Sequence, residues 1–137
     1  MTARGLTAAG AAIQARRMLA EGEPLLAVWR YCLVQLLDDY TGEARRAGVA
    51  QASRRFEAEP ATTGSGEVDA GLAALAEHLA RRDGWSAPAW AYTSGRYTQH
   101  WWFVTPLRGM HATALQQSPA SFRKRGVFIT ADALSRV

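Results

Sequence analysis

Apolar residues recur at the spacing of one helical face along two stretches of the chain. In the first, Leu25, Trp29, Cys32, Leu33, Leu36, Leu37 and Tyr40 keep the i, i+3, i+4, i+7 rule without a gap. That predicts an amphipathic helix whose apolar stripe is core rather than a ligand box. In the second, Val68, Leu72, Leu75 and Leu79 repeat the pattern, and Asp83-Gly84 offers a C-terminal stop. A further helix is expected from Thr7, as N-cap, to Ala20, with Ala9 and Ile13 at helical spacing. Pro24 suits the first turn of the helix that follows the break at Glu21-Gly22-Glu23.

Between these stretches the pattern weakens. Glu43 to Glu59 reads as a basic, less regular helical region, and residues 60–66 (PATTGSG) are all small, polar or helix-breaking, as in a linker. Beyond Trp85 the chain reads as short pieces bounded by caps. Thr105-Pro106 signals a helix running to about Gln117, and Ser118-Pro119 repeats the signal at once. Gly126 stops that second helix, Val127-Phe128-Ile129 is a short extended run, and Thr130 caps a last turn with Leu134 inward. Trp101 to Val104 reads equally as extended or as the close of a short helix. The expected fold is mainly α: a small helical bundle with short irregular helices and room for one minor strand pair at the C-terminal end. The chain, 137 residues, is expected to form one domain, with sub-bundles 1–59 and 67–137 joined by the linker 60–66.

Charge changes this picture because it is uneven. Residues 1–83 carry 10 arginines against 11 acids, whereas residues 84–137 carry five arginines and a lysine against Asp132 alone. Nine of the 13 aromatic residues share that basic segment. A positive, aromatic-rich surface attracts nucleic acid or an acidic protein; an arginine- and alanine-rich composition alone would also produce the excess. The single cysteine, Cys32, sits within the apolar helix and is expected to be buried and inert. The sequence holds no stretch long and apolar enough to span a bilayer and no hydrophobic signal core, so a cytoplasmic protein without a membrane partner is expected.

Catalytic patterns are not evident. His78, His100 and His111 form no ligand pair, and no phosphate loop, nucleophile elbow or dinucleotide turn is present. The expectation is a protein that is not an enzyme, with no catalytic residue, metal or cofactor. Asp38 and Asp39 close a helix, where acids are slightly unfavourable, and Asp39 is expected to be solvated. The stretch Glu43 to Glu57 (EARRAGVAQASRRFE) resembles the helix-turn-helix core of small bacterial repressors through Ala44, Gly48 and Val49. That resemblance implies that Gln51 and Ser53 open a recognition helix, with Arg45, Arg46 and Arg54 beside it. It departs from the pattern at Glu43 and Arg54, where that motif keeps apolar residues. The alternative is an exposed helix with Arg45, Arg46, Arg54 and Arg55 in water.

The C-terminal half carries a more specific pattern: Trp102-Phe103, Ala114-Leu115, Ser118-Pro119, Phe122, an arginine-rich turn, and Gly126 to Ile129. These marks resemble small, mostly uncharacterised actinobacterial proteins, some of which are antitoxin-like or regulatory. The resemblance implies a regulator that binds a protein partner, such as a cognate toxin, without making or breaking a bond. Tryptophan and arginine are enriched at interface hot spots, so Trp101, Trp102, Arg108, Arg123 and Arg125 are the expected partner-binding residues. The competing expectation for the tryptophans is that they anchor irregular segments. For Arg123 to Arg125 it is that they end a short helix, where cations complement the dipole.

Overall fold

A computed structural model describes residues 5–134 of the chain. Its helices are α1 (Ala8–Ala20), α2 (Leu25–Val28), α3 (Gln35–Ala47), α4 (Val49–Ser53), α5 (Gly66–Asp83), α6 (His111–Gln117) and α7 (Ala120–Arg123). Two strands, β1 (Trp102–Phe103) and β2 (Val127–Phe128), pair in parallel. The protein is mainly helical with this one minor strand pair.

Helix α5 is the centre. All residues from Val68 to Ala80 are buried except His78, which is half-buried. A helix buried on every side needs small residues, and alanines occupy positions 70, 73, 74, 76 and 80. Gly71 serves the same end, since a Cβ there would lie 2.9 Å from the Leu33 Cδ2. Ser65 caps the helix by accepting the Val68 amide at 3.2 Å. Gly84 ends it in the left-handed region (φ 83°), which glycine enters without a steric penalty.

The expected stripe from Trp29 to Tyr40 is buried against α5. It lies on one rod made of α2, a π turn (Trp29–Val34) and α3, helical throughout. Pro24 stands just outside this rod as an extended cap. In α1 the structure shifts the expected face. Thr7 does cap, accepting the Gly10 amide at 3.0 Å, but the buried residues are Ala8, Ala11, Ala12 and Ala15 while Ile13 is exposed. Close helix packing takes the alanine face and leaves the larger side chain outside.

Segment 60–66 is tied down at its centre. Thr63 is buried, and its amide and hydroxyl both donate to Asp69 on α5. The Pro60 carbonyl accepts from the buried Arg96, whose guanidinium also stacks over Trp90. One connected core contains Ala8 to Tyr40, Val68 to Leu79 and Trp90 to Ile129. Asp39 is not merely solvated: its carboxylate accepts the Leu6 amide at 2.7 Å.

Two boundaries differ from expectation near the end of the chain. Thr105-Pro106 opens a turn rather than a helix, with the Thr105 hydroxyl accepting from the Leu107 amide. The helix proper begins at His111, after a 3-10 turn at Arg108–Met110. Ser118 does not cap α7, whose N-cap is Pro119. Instead its hydroxyl accepts the Ile129 amide at 2.9 Å and lies 2.6 Å from the Ala114 carbonyl. Ser118→Ala would leave a buried amide without an acceptor, so a stability loss of about 1–3 kcal/mol is expected in urea denaturation.

Candidate partner-binding face

The tryptophans divide sharply by environment. Trp29 and Trp102 are buried and meet edge to face at 5.9 Å. Trp90 is buried, and its ring nitrogen donates to the Phe56 carbonyl at 2.9 Å. Trp85 donates to the Tyr40 hydroxyl, which donates in turn to Asp83. Burial and that bond to Asp83 push the Tyr40 phenol up to about 12. Trp101 alone is out, 67% exposed. Extended backbone explains the split, because successive side chains fall on opposite faces. Trp102 and Val104 enter the core, while Trp101 and Phe103 stand on the outer face of the strand pair.

That outer face is an aromatic ladder. Trp101 meets Phe128 edge to face at 5.0 Å, Phe128 stacks on Phe103 at 5.1 Å, and His111 stacks on Phe103 at 4.1 Å. The stretch that follows keeps apolar residues outside: Leu107 is 64% exposed, and Met110 and Leu115 are also exposed. Arg108 is exposed on the same stretch and makes no ion pair among the described residues. Leu107 also borders an open groove of 720 Å³ that Leu26, Trp29, Arg30 and Asp132 line as well. The π turn supplies Trp29 and Arg30; such turns recur at functional sites.

The basic triplet behaves differently from Trp101. Arg125 is 1% exposed and reaches Glu77 on α5 at 2.6 Å. It also donates to the carbonyls of Ser121 and Ala91, with its guanidinium over Tyr97. Lys124 joins Glu77 at 2.8 Å, and Arg81, one turn along α5, does so at 3.0 Å. Arg123 donates to the carbonyls of Gln116 and Ser118. Burial pushes the Glu77 carboxyl up, yet the hydrogen bonds from Lys124 and Arg125 and the Arg125 charge outweigh it and hold the group at about 2. Much of the C-terminal positive charge is thus answered inside the fold.

The five expected partner residues therefore separate. Trp101 and Arg108 face solvent, Trp102 is core, Arg125 is the buried counter-ion of Glu77, and Arg123 is exposed but bonded to the end of α6. The sequence places Glu77 and His78 on different faces of one helix without marking Glu77 as a buried ion, although a carboxylate set among Ala73, Ala74, Ala76 and Ala80 is that signal. The ladder residues Phe103, Phe128 and His111 come together only through the pairing of strands remote in sequence.

Around Gly48 (φ 94°) the chain turns from α3 into α4. Arg45, Arg46, Gln51 and Arg54 are exposed, and Ser53 is half-buried with its hydroxyl donating to the Ala50 carbonyl. Arg55 is not in water: it is buried, pairs with Glu43 at 2.7 Å and donates to the Leu6 carbonyl. This pair explains how Glu43 stands where a helix-turn-helix keeps an apolar residue. Helix α4 has five residues, or about 7.5 Å at 1.5 Å per residue.

Burial pushes the Cys32 thiol up to about 11, against the opposing charge of Arg17. Among the described residues no cluster of three or more histidine, cysteine or acidic side chains could hold a metal. None of their helices is long and apolar enough to cross a membrane. Fold and surface together define a small, mainly helical protein with a solvent-facing aromatic patch at its strand pair. Comparison with protein-family models, with curated proteins and with solved structures finds no match to this chain.

Proposed function

We propose that the protein is a non-enzymatic regulator that binds a protein partner, in the antitoxin-like sense of stoichiometric occlusion. The observation that carries this reading is Trp101, 67% exposed on an aromatic ladder while every other tryptophan is wholly or partly buried. An exposed tryptophan beside exposed Leu107, Met110 and Leu115 is the residue chemistry of an interface centre. Arg108 gives this stretch positive charge, which favours an acidic partner.

The test is affinity capture from the native cell extract, with and without nuclease, using the wild-type chain and Trp101→Ala. A partner that survives nuclease and is lost with Trp101→Ala is expected. Capture of nothing in any arm would overturn the reading. Retention of nucleic acid alone, released by salt with a slope of about −0.9 per phosphate neutralised, would turn it towards DNA binding through Arg45, Arg46 and Arg54.

A further inference from the structure

The strand pair is closed on one side and open on the other. On the β2 side, the Ser118 hydroxyl accepts the Ile129 amide at 2.9 Å and lies 3.1 Å from the Ile129 carbonyl, standing where a third strand would. On the inner side, Trp102 donates to the Gly126 carbonyl at 2.8 Å and Val104 to that of Phe128 at 3.1 Å. In a parallel ladder alternate residues face the partner strand. This register therefore turns the amide and carbonyl of Phe103 away from β2, and neither has a partner among the described residues. The Trp101 carbonyl and the Thr105 amide share that edge and are likewise unbonded among the described residues. Such a row of main-chain groups is a template for another strand.

We infer that the free edge of β1 receives an extended segment of an acidic partner protein, added as a third strand. This rests on the protein-binding reading and names how the partner docks. Main-chain hydrogen bonds to Phe103 would fix the segment, and its alternate side chains would fall beside Trp101 and Phe103 on the outer face. Charge selects the occupant. From Gly84 to Leu134 the one acid is Asp132, in the groove that Thr105 and Leu107 also line, against Arg96, Arg108, Arg123, Lys124 and Arg125. Arg96 and Arg125 are buried, Lys124 meets Glu77 and Arg123 is held at Ser118 on the β2 side, which leaves Arg108, five residues beyond β1, as the exposed cation that follows this edge and has no carboxylate among the described residues. A second copy would set this acid-poor segment against itself; an acidic strand complements it.

The probe is a random dodecapeptide display library panned on the full chain at low salt, followed by synthesis of the enriched peptides. Enriched peptides should be acidic, should weaken about tenfold or more when the amide facing Phe103 is N-methylated, and should slow Phe103 amide exchange by a similar factor. Trp102 and Val104 amides, already bonded within the pair, should exchange slowly with or without peptide. Peptides that bind with no change at the Phe103 amide, or tolerate N-methylation throughout, would overturn strand addition while leaving protein binding standing. No enrichment at all would also overturn it, and the Trp101→Ala capture would then decide the broader reading on its own. A Phe103 amide protected in the free chain in proportion to protein concentration would assign the edge to a second copy instead.

Discussion

Glu77→Gln should lower stability by about 3–5 kcal/mol, because it leaves Arg125 charged, desolvated and without a counter-ion. Both side chains are completely buried, 0% exposed each, so water cannot replace what is lost. The melting temperature should fall by roughly 12–20 °C in a chain of this size. Replacing Glu77 and Arg125 together by Met should recover much of the loss, since two apolar groups of similar length leave no charge in the core. A Glu77→Gln protein within 1 kcal/mol of wild type would show that Ser121, Ala91 and Tyr97 satisfy Arg125 unaided.

The same carboxylate gives stability a pH dependence with a definite sign. Its folded-state value lies at about 2 against 4.5 for the free group. The stabilisation is therefore fully present above about pH 4.5 and drains away as pH falls towards 2. Asp83, depressed by its hydrogen bond from Arg82, works in the same direction. In Glu77→Gln the acid limb of a stability-against-pH curve should become shallower.

Trp102→Ala is expected to cost about 3–5 kcal/mol, whereas Trp101→Ala should stay within about 1 kcal/mol of wild type. The two residues are neighbours in sequence with the same side chain, so composition cannot explain a difference. Trp102 is 7% exposed, packs on Trp29 and lies 3.6 Å from where a Gly71 Cβ would stand. Removing it opens a cavity between α5 and the π turn. Trp101 loses only its edge contacts with Phe103 and Phe128. Chemical denaturation of the two variants reads the contrast directly. Equal losses would make Trp101 a structural anchor and remove the main support for a partner face.

The helical periodicity was legible because local spacing alone determines it. Trp29 to Tyr40 and Val68 to Leu79 bury as their spacing requires, with Leu25 half-buried at the start of its stripe, and the stop at Gly84 follows from a left-handed cap that few other residues tolerate. Ile13 was misleading because hydrophobicity ranks isoleucine above alanine, while the closeness of helix packing reverses the choice. The triplet Arg123 to Arg125 carries a sound local grammar, as a helix terminus. Its main tie, to Glu77, crosses nearly 50 residues and leaves no local trace. The outer aromatic ladder is hidden for the same reason: Phe103 and Phe128 meet only once β1 and β2 are in register.

The Glu77 cluster also bears on when this chain can fold. Glu77 sits on the central, most deeply buried helix, yet two of its three cations lie 47 and 48 residues further on. A chain growing from its N-terminus makes the central helix long before it makes Lys124 and Arg125. Until then, packing α5 would entomb a carboxylate whose one cation is Arg81, itself largely in water, beside the neutral Tyr92 hydroxyl. Early burial is disfavoured, so α5 is expected to pack fully only after Lys124 and Arg125 have been synthesised.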